Sequence, residues 1–357
     1  MENVISVIKI QGTLWKLERF RFSKRFKYLS TMIDFDLYNY DKYIISFSGG
    51  KDSTALLLFL LDNGVPKNKI ELWHQEIDGR GRSLFDWEVT PDYCRKLGAA
   101  FGVPVYFQWK VGGFEREMTR TESLTAPVCF ELPDGSVRQT GGDKGKPSTR
   151  NKFPQPSPDL RVRWCSAYLK VDVCATALRH QERFQNIRTL VLSGERGEES
   201  KQRAGYAIIE PDRADLRNGR NPRHIDRFRP IRDWKEQQIW DLLEKYRVRP
   251  HPCYFMGFGR CSCKFCVFGN CQQFASAACV SHRQANDLIR FEKDFGYTMK
   301  RDTDLSTLIS KGQPYESITD YLKKLATSYE YTAPVLVPNN EPWQLPAGAF
   351  RKCGGPS

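Results

Sequence analysis

Apolar residues in this chain fall into short continuous runs separated by longer amphipathic stretches. Tyr43–Phe47 is an apolar run of strand length that ends on Ser48-Gly49-Gly50-Lys51-Asp52-Ser53, and Thr54–Leu61 then reads as a buried helix. Ile70–Gln75 and Val103–Gln108 are two further strand-length runs, with helical spacing over Leu84–Phe101 between them. Ala167–Phe184 has helical spacing, Thr189–Ser193 is another buried strand, and Lys235–Arg247 is an amphipathic helix. Uninterrupted apolar strands alternating with helices predict a parallel sheet with crossover helices on its faces. The expected fold class is therefore α/β: a doubly wound parallel sheet followed by a Cys-rich C-terminal module.

Composition divides the chain further. Residues 1–40 read as a basic, aromatic, helical lead-in, residues 41–249 as the sheet domain, and residues 250–357 as a Cys-rich helical module. Residues 127–160 are rich in Pro, Gly and Ser and are expected to form a long surface insertion, a lid or substrate loop. Asp212–Arg229 reads as a second, arginine-rich loop, and Val335–Ser357 as a loose Pro/Gly-rich end. The longest apolar run, Ala55–Leu61, is too short to span a bilayer, and the first residues lack a signal-peptide pattern, so the expected location is the cytoplasm.

The 357 residues are 40% hydrophobic and 13% aromatic, enough for a sizeable core. A net charge of +13 favours polyanionic partners. Between Lys9 and Lys27, seven basic residues alternate with Trp15, Phe20, Phe22 and Phe26, a pattern that suits a nucleic-acid strand or, equally, the solvated face of a helix. The chain has 11 cysteines, five of them between Cys253 and Cys271. In a reducing compartment such clustering points to metal or redox chemistry.

The turn at Ser48–Ser53 carries the clearest chemistry. Gly49 and Gly50 let the backbone approach a phosphate, and the amides opening the helix face an anion with the helix dipole behind them. Lys51 adds charge, Ser48 and Ser53 add hydroxyls, and Asp52 either holds Mg²⁺ through water or caps the helix. Lys51, Asp52 and Ser53 are the catalytic candidates. The spacing differs from the G-x-x-x-x-G-K-[ST] phosphate loop. Asp78, just past the second strand, is a candidate for ribose or Mg²⁺, or a turn cap.

The S-G-G-K-D-S turn resembles the PP-loop of the ATP pyrophosphatase superfamily. From Tyr43 to Phe268 the chain is similar to its phosphoadenosine-phosphosulfate-reductase-like branch, with later marks at Arg161–Lys170, Leu192–Arg203, Arg229–Trp234 and His251–Cys266. The resemblance implies ATP and Mg²⁺ at the strand ends and cleavage between the α- and β-phosphates. It makes Gly194, Arg196 and Arg203 a second phosphate-binding segment. Within the branch the chain looks closer to the iron–sulfur ATP pyrophosphatases of DNA phosphorothioation (the Dnd and Ssp systems) than to the sulfonucleotide reductases. The reductase tail has a Glu-Cys-Gly core and a following His; here Cys353 has neither the Glu nor the His.

Cys263-x-x-Cys266 has metal-ligand spacing. The family comparison adds Cys165, and a fourth thiolate would come from Cys271, with Cys261 and Cys253 as alternatives, to hold a 4Fe-4S cluster. Cys263, Cys266, Cys279 and His282 form a rival zinc set. The expected function is adenylation of an acceptor, a nucleic acid with DNA favoured, for sulfur delivered with a cysteine desulfurase. The alternatives are a sulfonucleotide reductase, with Cys353 as its thiol, and a non-catalytic nucleic-acid-binding zinc protein.

Overall fold

The computed structural model describes residues 35–157 and 159–351, preceded by the paired backbone of Lys9–Ile10 and Thr13–Leu14. Apart from that pairing, the Lys9–Lys27 candidate nucleic-acid segment lies outside the described residues, as does Cys353.

The chain forms an eight-stranded mixed sheet. Its strands are β1 Lys42–Ser46, β2 Ile70–Glu76, β3 Val105–Lys110, β4 Val128–Glu131, β5 Val137–Thr140, β6 Arg188–Leu192, β7 Ile209–Pro211 and β8 His224–Phe228. The spatial order is β5-β4-β3-β2-β1-β6-β8-β7. The five central strands, β3-β2-β1-β6-β8, are parallel, and antiparallel strands close both edges. The α/β expectation holds, with edges that depart from pure parallel pairing. The segment expected as a surface insertion begins with the β4–β5 hairpin. The arginine-rich "loop" at 212–229 contains β8, whose polar residues are paired inside the fold. There Asp226 accepts from Tyr40 Oη (2.8 Å) and Arg217 (2.6 Å).

Alternate residues of each central strand enter opposite faces, as strand geometry requires. Ile45, Leu72 and Leu192 join a core formed with α1 Lys51–Asp62, α2 Thr90–Phe101 and, later in the chain, α7 Glu236–Lys245. Ile44, Trp73 and Val191 enter a second core under Val173, Ala177 and Leu178 of α5 Asp172–Arg179. α5 continues from α4 Trp164–Ser166 through a π-helical turn, Ala167–Val171; the short α3 Gly113–Met118 follows β3, and the short α6 Lys201–Ala204 follows β6. The expected helix over Leu84–Phe101 starts only at Thr90. Residues 84–86 are held irregular because their amides converge on Asp78.

Beyond residue 250 come α8 Pro252–Phe255, α9 Cys271–Val280, α10 His282–Phe295, α11 Leu305–Ser310 and α12 Asp320–Thr327. Phe258, Phe265, Phe274 and Leu288 from this region share one hydrophobic cluster with Leu57 and Leu97 of the sheet side. No helix among the described residues is long and apolar enough to cross a membrane.

Candidate active site

Strand order decides where a site can form. The chain runs outward through β1, β2 and β3 on one side, then resumes at β6 on the other side of β1. The C-terminal ends of β1 and β6 therefore diverge into a crevice, the usual ligand position in open α/β sheets. Two loops line it, Phe47–Gly50 after β1 and Ser193–Arg196 after β6. They open on a cavity of about 680 Å³ whose wall includes Ser48, Gly50, Asp52, Ser53, Gly194 and Arg203.

The turn after β1 is shaped by neighbours as well as by its own glycines. Gly49 has φ +73°, and a Cβ there would lie 3.0 Å from Cys94 Sγ and 3.3 Å from the Tyr93 ring. Only glycine meets both demands. The Ser48 N–H donates to Ser53 Oγ (3.2 Å), the Gly50 N–H donates to Ser48 Oγ (3.3 Å), and Ser53 Oγ donates to Gly50 O (3.0 Å). These amide bonds are long, so an incoming anion exchanges weak local bonds for charge-assisted ones. Tyr254 Oη accepts from the Lys51 N–H (3.0 Å) and from the Cys261 N–H (3.2 Å), tying the start of α1 to the Cys-rich region.

The charged residues form a network under this turn. Lys51 Nζ contacts Asp52 at 3.0 Å and Glu236 at 3.9 Å, and it lies 5.9 Å from the ring centres of Trp240 and Tyr254. Its side chain is 2% exposed, and Asp52, which it pairs with, lines the cavity in its place. Arg196 donates to Asp52 (2.6 Å) and pairs with Glu198. Burial opposes ionisation of Asp52, but Lys51 and Arg196 outweigh it and hold the carboxyl below the usual range. Arg203 pairs with Glu199 on the cavity wall. Gly194 presses against Asp52: a Cβ on it would meet the Asp52 carbonyl carbon at 3.2 Å. Asp78 stands apart. Its Oδ2 accepts from the amides of Leu84, Phe85 and Asp86, and its Oδ1 is buried without a partner. Burial pushes its carboxyl up to about 6.

A second cavity, about 350 Å³, adjoins the first and shares Lys170, Glu195, Arg203, Tyr206 and Arg260 with it. Cys165, Cys263 and Cys266 line it together. Burial pushes Cys165 up to about 11, with Cys266 adding to the shift, and raises Cys263 well above the ordinary thiol range. Arg163, which lines the same cavity close to Cys165 and Cys266, has its Nε buried without a partner. Thiols with N–H donors beside them suit an iron–sulfur cluster, whose sulfurs accept such bonds. Cys271, at the start of α9, is not in that wall; it shares the neighbourhood of Lys300 with Cys266. Cys279 lies beside Lys323 instead.

Among the described residues, the group whose ligand atoms all lie within 4.8 Å of one another is His251, Cys253 and Cys261. The rival zinc set of Cys263, Cys266, Cys279 and His282 does not meet that measure. Cys261 is held below the ordinary thiol range by its bond to Cys253 and, against burial, by His251. Sequence reading did not single out Tyr254, Glu236 or Lys170 as site residues. Lys170 and Tyr254 were visible only as members of the Arg161–Lys170 and His251–Cys266 marks, and nothing in the sequence announces that the fold carries Tyr254 and Glu236 to Lys51.

Residues 142–268 match the phosphoadenosine phosphosulfate reductase domain family. The matched stretch contains Cys165, Gly194, Arg196, Arg203, Cys263 and Cys266, and it begins after the Ser48–Ser53 turn. An uncharacterized 37.8 kDa protein of Escherichia phage 186 is 25% identical over 243 residues, covering 65% of this chain and 69% of the phage protein. Among solved structures, Candida glabrata FMN adenylyltransferase in complex with ATP overlaps at TM-score 0.33 and 12% identity, over 62% of this chain and 52% of the other. The same enzyme with FMN and AMPCPP overlaps at TM-score 0.36 and 12% identity, over 81% and 75%. This chain thus spans about half the length of the ATP-bound form, and overlaps this loose do not bear on function.

Proposed function

We propose that the chain is an ATP pyrophosphatase that transfers AMP to an acceptor oxygen and so activates it for sulfur attack. The observation that carries this reading is the strand–turn–helix at Ser46–Lys51, opening on a cavity large enough for a nucleotide. ATP-Mg²⁺ would lie with its phosphates on the Ser48–Ser53 turn and its charge shared with Arg203. The acceptor oxygen attacks the α-phosphorus, the bond to the bridging oxygen breaks, and pyrophosphate leaves against the amides and hydroxyls of the turn. Lys51 and Arg196 keep Asp52 ionised, and each of its oxygens retains a second acceptor site that could take a hydrogen bond from the water shell of Mg²⁺. Cys165, Cys263 and Cys266 would hold an iron–sulfur cluster in the adjoining cavity, with Cys271 as the proposed fourth ligand. When bound, the cluster supplies a sulfur-rich, redox-active surface beside the activated acceptor. The basic surface favours a nucleic acid, DNA first, as acceptor, and a cysteine desulfurase as sulfur source.

The test is pyrophosphate release from ATP by metal-replete protein with nucleic acid and a desulfurase present. Release should fall about a hundredfold in Ser53→Ala, the size of effect seen when one charge-stabilising donor is removed. No release with any nucleic acid would end the proposal.

The family match over residues 142–268 favours a second reading, a thiol-dependent sulfonucleotide reductase using Cys353. Sulfite release from an adenylyl sulfate, lost in Cys353→Ser, would replace the first reading with this one.

A further inference from the structure

His251, Cys253 and Cys261 converge although neither the phosphate turn nor the Cys165 cavity requires it. His251 and Cys253 are fully buried, whereas Cys261 is half-buried and stands on the wall of the nucleotide-sized cavity. Their ligand atoms lie within 4.8 Å of one another, close enough for one ion to draw all three in. The two cysteines come from either side of a tight loop. Cys253 is in α8, the Phe258 N–H donates back to Cys253 O (3.1 Å), and the chain then turns to bring Cys261 over Cys253.

We infer that His251, Cys253 and Cys261 form a zinc site separate from the Cys165–Cys263–Cys266 centre, with its exchangeable coordination position on the cavity side. Two thiolates and an imidazole are a donor set that suits Zn²⁺, and three protein ligands leave a tetrahedral ion one open position. Burial of His251 and Cys253 leaves the Cys261 side as the accessible one. The ring of His251 is already oriented. Nδ1 accepts from the Cys253 N–H and Nε2 meets Thr90 Oγ1, both at 3.2 Å. These are long bonds, weak against a metal–imidazole bond; with Nδ1 on the ion in place of the Cys253 N–H, the neutral ring carries its proton on Nε2, which donates to Thr90 Oγ1 and fixes the ring.

The ion would sit against the phosphate turn. Cys261 Sγ approaches Ser48 O at 3.9 Å, and a Cβ placed on Gly50 would lie 3.1 Å from Cys261 Cβ. Filling the site therefore fixes the wall of the turn through Cys261. The assignment does not depend on the adenylation reading, because it rests on the ligand geometry alone.

The test is titration of the metal-stripped full chain with Co²⁺ under anaerobic conditions. One equivalent should produce an intense thiolate-to-cobalt band that is retained in the Cys263→Ser/Cys266→Ser variant and lost in Cys261→Ser. Absence of the band in the unmodified chain, or its survival in Cys261→Ser, overturns the site. A measurement on the unmodified chain removes dependence on any variant's folding. Zn²⁺ should protect Cys261 from iodoacetamide, read by peptide mapping, and a chelator should restore labelling. Labelling of Cys261 unchanged by Zn²⁺ overturns the site equally.

Discussion

Asp52 stands in the cavity wall yet spends both oxygens on cations, one on Lys51 and one on Arg196. Its depressed folded pKa means that its stabilising contribution is complete above the ordinary carboxylate value near 4 and is lost as pH falls through the lower folded value. Arg196→Gln leaves that carboxylate with Lys51 alone. The expected loss is roughly 2 to 4 kcal/mol at neutral pH, at or just below the range for breaking a buried pair because Asp52 is partly exposed. It shrinks as the pH is lowered past 4, and urea unfolding at neutral and acid pH measures both. Asp78 has the opposite sign. Its folded pKa, near 6, lies above the unfolded value, so the native state binds the proton more tightly. Stability from this group falls as pH rises from about 4 to about 6, by on the order of 2 to 3 kcal/mol, and is flat above that. Asp78→Asn keeps an oxygen acceptor for the amides of residues 84–86 and should abolish that slope in the same unfolding series. A slope unchanged in the variant would place the effect elsewhere.

At the scale of elements, the site depends on two loops meeting, and Gly194 sets how closely they meet. A methyl group there would press on Asp52 backbone at 3.2–3.4 Å. Gly194→Ala should therefore push the β6 loop off the phosphate turn, costing about 1 to 3 kcal/mol of stability as overpacking does. Nucleotide affinity, read by calorimetry, should fall with it. The four strand-length apolar runs were legible in the sequence because β1, β2, β3 and β6 are buried on both faces and read as continuous hydrophobic segments. β8 was hidden because His224-Ile225-Asp226-Arg227-Phe228 looks like a polar loop until Arg217, Tyr40 and Asp212 are seen to pair with its charges. β5 was hidden for another reason. Val137-Arg138-Gln139-Thr140 is an exposed edge strand with no buried face to impose a pattern. The phosphate turn was visible because its residues are contiguous. The Lys51–Glu236–Tyr254 network was not, since its members are separated by up to 203 positions and meet only through the fold.

At the scale of the molecule, the last described stretch connects the far end of the chain to the phosphate turn. The Tyr331 N–H donates to Asp92 (2.7 Å), the Val337 N–H donates to Arg247 O (2.7 Å), and Trp343 Nε1 donates to Val248 O (2.7 Å). The Gly348 N–H then donates to Tyr254 O (2.8 Å) and the Phe350 N–H to Glu236 Oε1 (3.1 Å). Tyr254 and Glu236 are the two residues that brace Lys51, so this strap supports the turn from behind. A chain ending before Tyr331 exposes partners of that buried tyrosine and of Val337, and loses at least five hydrogen bonds. It should lose about 3 to 6 kcal/mol of stability and bind nucleotide more weakly. A chain ending at Arg351 keeps every contact just named and removes only Lys352–Ser357, including Cys353. If the adenylation reading holds, it should match the full chain in pyrophosphate release. If the chain is a reductase using the Cys353 thiol, the same short deletion abolishes sulfite release, so one truncation measured in two assays separates the two chemistries.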